Sequence, residues 1–334
     1  MKTIIVFMMI ILPASSYGLA VAALLAAALP LAACGSDKST QQAQSSTGES
    51  PTATADTAAA AQGCPTTPVD VVVSVDQWGD IVSELGGACA NVKTVLASSS
   101  VDPHDYEPSP SDAASFANAK LVVVNGADYD HWASDLAATS AAAAPVVSAA
   151  EVTKTTDGAN PHLWYSPSAV TAVADAVTAE LIKIDPKAES YFKDQRMTFT
   201  TQLQPYTTLI DKIKAAAAGK TYAATESIFD YQAEAMGLVN KTPEGYQRAA
   251  ANESDPSPAD IEAFRSALAG RQIDVLIYNT QTEGAIPEQI RTAAEQAGVP
   301  VIDVTETVPP GVTSFMMWQD EQLTALAKAL GVAV

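Results

Sequence analysis

An α/β fold of two parallel-sheet lobes joined by a long, rigid linker helix is what this sequence predicts, on three observations. Short β-branched runs alternate with helix-forming segments in residues 69–150 and again in residues 220–330, the pattern of βαβ units on a parallel sheet. Between these regions lies a helical stretch from about 187 to 218 with no strand in it. The turn EPSPSD at 107–112 recurs as DPSPAD at 255–260, each time followed by a helix and an apolar strand ending at Asn. In both copies Pro presets the turn and a Ser or Asp oxygen can cap the helix. The shared downstream order points to two related lobes.

The elements follow in chain order. Residues 1–33 read as an export signal: Met1-Lys2, a long apolar run, then small residues in LAAC, 31–34. With a cysteine directly after the cut, the segment resembles a bacterial lipoprotein signal, which implies that Cys34 is lipidated as the first mature residue and anchors the chain to a membrane on its extracytoplasmic side. Residues 34–64 carry almost no large apolar side chain and are expected to be a flexible tether. A lobe at 65–186 starts with the strand VDVVVSV, 69–75, apolar throughout as in a buried parallel strand. A helix to Gly86-Gly87, the strand NVKTVLA, a helix at 112–119, and the strands LVVVNG and APVVSAA continue it. The helix 167–184 is stopped by Asp185-Pro186. In the linker, 187–218, Phe192, Phe199, Leu203, Tyr206, Ile210 and Ile213 recur near helical spacing, and Pro205 should kink it. The second lobe, 219–334, resumes the alternation with KTYAATES, GRQIDVLIYNT and VPVIDVTET as its strand regions.

The chain carries 18 basic and 38 acidic residues, a net charge of −20. That balance argues against nucleic acid, whose phosphates need a basic face, and weakly suits a cation ligand. With Cys34 lipidated, Cys64 and Cys89 remain, and two cysteines in an oxidising compartment are expected to pair. No GxxxxGK[ST], HExxH or GxSxG motif occurs.

Three histidines stand out by their scarcity. His104 in DPHDYEP and His162 in NPHLWYSP both follow Pro, lie beside aromatics and precede a helix. They fall in loops, at the strand ends where open α/β sheets bind ligands. His131 in DYDHWASD opens a helix in an acidic segment and reads as a solvated histidine. Glu226 in TES and Glu306 in TET would emerge at strand ends of the second lobe. Each could equally be a helix-starting carboxylate favoured by the dipole.

Taken in order and spacing, DPHDYEPSPSD, NPHLWYSP, ATESIFDYQAEAMG and VTET resemble the metal-ion (manganese/zinc) substrate-binding lipoproteins of ABC transporters, over about residues 69–334. The resemblance implies two lobes joined by a rigid helix with one metal ion held between them. Carried over by position, the metal ligands would be His104, His162, Glu226 and Glu306. The family usually shows Asp in the last motif, so Asp303 is an alternative to Glu306. The implied ligand is one divalent ion on a mixed N/O set, manganese favoured and zinc next, since the third histidine ligand and histidine-rich loop of zinc-type relatives are missing at the matching places. The implied partners are an importer permease and its ATPase, with the chain itself a monomer and not an enzyme. Tyr106, Trp164 and Tyr165 would shield the site or orient the imidazoles. Competing readings are a secreted metallohydrolase, with Glu226 as general base, and a surface adhesin lipoprotein.

Overall fold

The computed structural model describes residues 63–97, 104, 106–252, 254–282 and 284–333. The export signal, Cys34 and the tether up to residue 62 lie outside the described residues. No helix among the described residues is long and apolar enough to cross a membrane.

The first lobe comprises β1 (Val69–Val75), α1 (Asp76–Gly86), β2 (Ala90–Leu96), α2 (Pro110–Phe116), β3 (Leu121–Val124), α3 (His131–Ser140), β4 (Val146–Ser148), α4 (Ala149–Thr153) and α5 (Pro167–Ile184). The linker is α6 (Glu189–Gln202) and α7 (Gln204–Ala217). The second lobe holds β5 (Thr221–Ala224), α8 (Asp230–Ala235), β6 (Val239–Asn240), α9 (Glu244–Ala251), α10 (Pro258–Ala269), β7 (Val275–Asn279), α11 (Ala285–Ala297), β8 (Val301–Val304) and α12 (Phe315–Ala329). Every strand pair is parallel, and the sheet orders β2-β1-β3-β4 and β6-β5-β7-β8 are the same topology used twice. β1, β3 and β7 are buried almost throughout because helices cover both sheet faces.

The repeated turn does the same work in both lobes. Ser109 accepts from the Asp112 backbone N–H while Asp112 reaches back to Ser109 N at 2.7 Å, and Pro110 opens α2. Ser257 accepts from the Asp260 N–H and Pro258 opens α10. Each cap satisfies an orphan donor of the first turn.

The linker is helical along nearly its whole length but interrupted at Leu203. Pro205 has no N–H to return to the Thr201 carbonyl, so one helix stops at Gln202 and the next starts at Gln204. Phe192, Phe199, Tyr206 and Ile213 are buried and join both helices to the core. Cys64 and Cys89 form a disulfide that ties the start of the described chain to the turn before β2. Neither β6, two residues long, nor α9 has a periodic signature strong enough to be expected from sequence.

α1 carries Asp76, Asp80 and Glu84 four residues apart, hence on one face. Asp80 Oδ2 accepts from the Phe315 N–H at 2.7 Å, joining the first lobe to the start of α12. Burial raises Asp76 to about 6 against its backbone hydrogen bonds. Burial, then the neighbouring Asp80 charge, raises Glu84 to about 7. Glu84 Oε2 is buried without a hydrogen-bond partner among the described residues. A carboxyl whose folded value is raised stabilises the fold below its unfolded value and loses that contribution as pH climbs, here from 4.5 through about 7. Glu84→Gln is therefore expected to raise the melting temperature at pH 8 by roughly 2 °C, after discounting for partial exposure, and by less at pH 5. Thermal melts of both proteins at the two pH values check this; a lower melting temperature for the variant at pH 8 would refute it.

Candidate metal centre

All four candidate ligands stand at or beyond the carboxyl ends of strands. His104 lies beyond β2, His162 beyond β4 and α4, Glu226 two residues after β5, and Glu306 two residues after β8. Parallel sheets leave these ends open, and the two lobes turn theirs toward one another. The facing is held by direct bonds. Tyr165 Oη donates to the Thr305 carbonyl at 2.7 Å, and Gln77 Nε2 donates to the Glu306 carbonyl at 3.1 Å. Asn160 Nδ2 donates to the Ser227 carbonyl at 2.7 Å, and Tyr231 Oη to the Asn160 carbonyl at 2.8 Å.

His104, His162 and Glu306 converge, each offering a ligand atom, with these atoms all within 4.8 Å of one another. His162 Nε2 and Glu306 Oε1 are 3.7 Å apart, an electrostatic contact rather than a hydrogen bond. Both atoms are buried with no hydrogen-bond partner among the described residues. Such atoms are costly to desolvate unless something else satisfies them. The Tyr129 ring lies 4.8 Å from His104 and 6.1 Å from His162, and the Trp164 ring stands edge-on to His162 at 5.3 Å. Tyr129 is fully buried, and its Oη accepts from Gln77 Nε2 at 2.8 Å. Burial pushes the Glu306 carboxyl up, but the neighbouring His162 imidazole, the Tyr129 hydroxyl and the more distant His104 outweigh it, so Glu306 titrates below the usual glutamate range. The carboxylate is thus held charged in a buried place, next to two imidazoles.

Glu226 does not join this group. Its Oε2 accepts from Asn279 Nδ2 at 2.8 Å and from Thr282 Oγ1 at 2.5 Å, and the carboxylate is outside the converged group. Its backbone is nonetheless adjacent, since Ser227 is bonded to Asn160. Of the two late carboxylates, Glu306 is the one that meets the histidines. Asp303, pointing to the other face of β8, is exposed and paired with Arg291 at 2.5 Å. His131 is exposed at the start of α3 and lies outside the cluster.

Among the aromatics expected to shield the site, Trp164 does so and Tyr165 bridges the lobes, whereas Tyr106 packs on Trp132 at 4.9 Å and bonds Asp112. Sequence reading missed Tyr129, Asn160 and Gln77. Asn160 and Tyr129 lie inside motifs that drew notice for their histidines, and Gln77 sits in a helix with nothing to single it out.

Two related α/β lobes with a His/His/carboxylate cluster lodged between them define the periplasmic-binding-protein class, in its metal-binding form. The chain belongs to the family described as ZnuA, zinc-uptake complex component A, periplasmic, whose model matches residues 71–329. It is 23% identical over 203 residues to the high-affinity zinc uptake system protein ZnuA of Bacillus subtilis (strain 168), covering 55% of this chain and 62% of that protein. It is 24% identical over 175 residues to the manganese-binding lipoprotein MntA of Halalkalibacterium halodurans, covering 50% of this chain and 58% of that protein. The matches to these two curated relatives thus span about three-fifths of their length. The fold is that of the periplasmic zinc-binding protein TroA from Treponema pallidum, with a TM-score of 0.66 at 19% identity, covering 79% of this chain and 99% of that one.

Proposed function

We propose that this chain captures one divalent transition-metal ion between its lobes and delivers it to the permease and ATPase of an ABC importer, working as a lipid-anchored extracytoplasmic binding protein through Cys34. One observation carries the reading: His162 Nε2 and Glu306 Oε1, buried and without a hydrogen-bond partner among the described residues, face each other at 3.7 Å with His104 beside them. A cation of first-row size satisfies all three at once, and two neutral imidazoles with a carboxylate are a donor set such ions accept. The site also sits where two lobes can close on a ligand. Names among the relatives support metal uptake and differ in the ion, zinc in one and manganese in the other.

Glu226 is proposed as the fourth ligand. To reach the ion its carboxylate leaves Asn279 and Thr282, and it then supplies the second negative charge that neutralises a divalent cation. With two hard oxygen donors, manganese is favoured over a zinc-only site, although zinc binds more tightly at most N/O sites by the intrinsic order.

Elemental analysis of the purified protein, followed by manganese–zinc competition in a thermal-shift titration, tests the reading. One equivalent of ion is expected, with stabilisation of about 2.7 kcal/mol when free ion stands at a hundred times its dissociation constant. A protein that takes up neither ion and shows no thermal shift with either would overturn it.

A further inference from the structure

Asn160 lies two residues before His162, and its amide is oriented without ambiguity. Oδ1 accepts from the His162 backbone N–H at 3.0 Å, and Nδ2 donates to the Ser227 carbonyl at 2.7 Å. A backbone N–H can only donate and a carbonyl can only accept, so the two ends of the amide cannot be exchanged. The same Oδ1 lies 2.6 Å from His162 Nδ1. Since Oδ1 cannot donate, Nδ1 must carry the proton, and the lone pair of a neutral His162 is then on Nε2. That is the nitrogen that faces Glu306. A free neutral imidazole in water prefers the opposite tautomer, with its proton on Nε2, which would block the ligand atom. The backbone on either side is pinned as well: Asn125 Nδ2 donates to the Pro161 carbonyl at 2.9 Å, and Tyr231 Oη to the Asn160 carbonyl at 2.8 Å.

We propose that Asn160 is a positioning residue for ion capture, locking His162 with its Nε2 lone pair toward the cluster and tying that histidine, through the same amide, to the second lobe beside Glu226. The inference rests on the metal reading of the cluster. Loss of the lock makes His162 present an N–H to the ion in part of the population, and loss of the Ser227 bond frees the loop that carries Glu226 from the loop that carries His162. Orienting partners of this kind are worth about 10–100-fold in metal affinity.

The test uses the full chain labelled with ¹⁵N-histidine, whose three histidines make the ring signals assignable. Two-bond ¹H–¹⁵N spectra of metal-free protein at a pH where the rings are neutral report the tautomer, and titrations with manganese and zinc chlorides report affinity. Wild type is expected to show the Nδ1–H form at His162. Asn160→Ala is expected to shift it toward the Nε2–H form and to weaken binding about 10–100-fold. Asn160→Asp, which keeps the acceptor, is expected to keep the Nδ1–H form and to bind within about tenfold of wild type. Asn160→Leu, close in size without an acceptor, replaces Asn160→Ala should the smaller residue not fold. An unchanged tautomer in the Ala or Leu variant overturns the lock, and a changed tautomer with unchanged affinity overturns its role in capture. A wild type that binds neither ion defeats the metal reading and the capture role with it, while the metal-free spectra still decide whether Asn160 sets the tautomer.

Discussion

His162→Ala is expected to lower manganese and zinc affinity by at least about 100-fold while leaving the fold intact. Removal of a partner that merely orients a ligand costs 10–100-fold, and His162 is itself one of the converging groups. His162 is 3% exposed and packs against Tyr129 and Trp164, so truncation leaves a small void. It also removes a buried nitrogen that lacks a hydrogen-bond partner among the described residues, which offsets part of the packing loss. The metal-free melting temperature should therefore move little, and the ion-induced rise should disappear. Calorimetric titration and thermal melts of the variant beside wild type measure both. His104→Ala should act in the same direction, and unchanged affinity in both variants would remove the site from this cluster.

Cutting the disulfide, by Cys64→Ser with Cys89→Ser, is expected to cost roughly 3 kcal/mol of stability, the loop-closure entropy released for a separation of 25 residues. For a chain of this size that lowers the melting temperature by roughly 5 °C. Cys89 is fully buried, so two serine hydroxyls in place of the sulfurs add to the loss. The bridge precedes β2 and so lies at the amino ends of the strands, opposite the cluster at their carboxyl ends. Ion affinity of the folded protein should be unchanged. A melting temperature within about 2 °C of wild type would refute the estimate.

The alternation of strands and helices, the recurrence of acid-Pro-Ser-Pro-x-Asp and the placement of His104 and His162 after Pro were all legible in the chain, because each depends on local rules. Helix caps need a Ser or Asp at one position, buried parallel strands need continuous β-branched runs, and Pro205 interrupts a helix wherever it falls inside one. The short β6 and α9 were not legible, since two paired residues and a helix on the lobe's flank carry little periodicity of their own. What only the tertiary structure decided is which carboxylate faces the histidines. Glu226 and Glu306 look alike locally, each two residues past a strand. Yet Asn279 and Thr282 hold the first aside, while the second is bracketed by His162, Tyr129 and Gln77 from the other lobe. Asp303 and Glu306, three residues apart, are likewise separated: the pleat of β8 sends Asp303 out to Arg291, whereas Glu306 stands beyond the end of the strand. Strand ends and caps are set by neighbours in sequence, whereas the partner of a buried charge is set by the approach of a second lobe more than a hundred residues away, and only the folded chain brings that about.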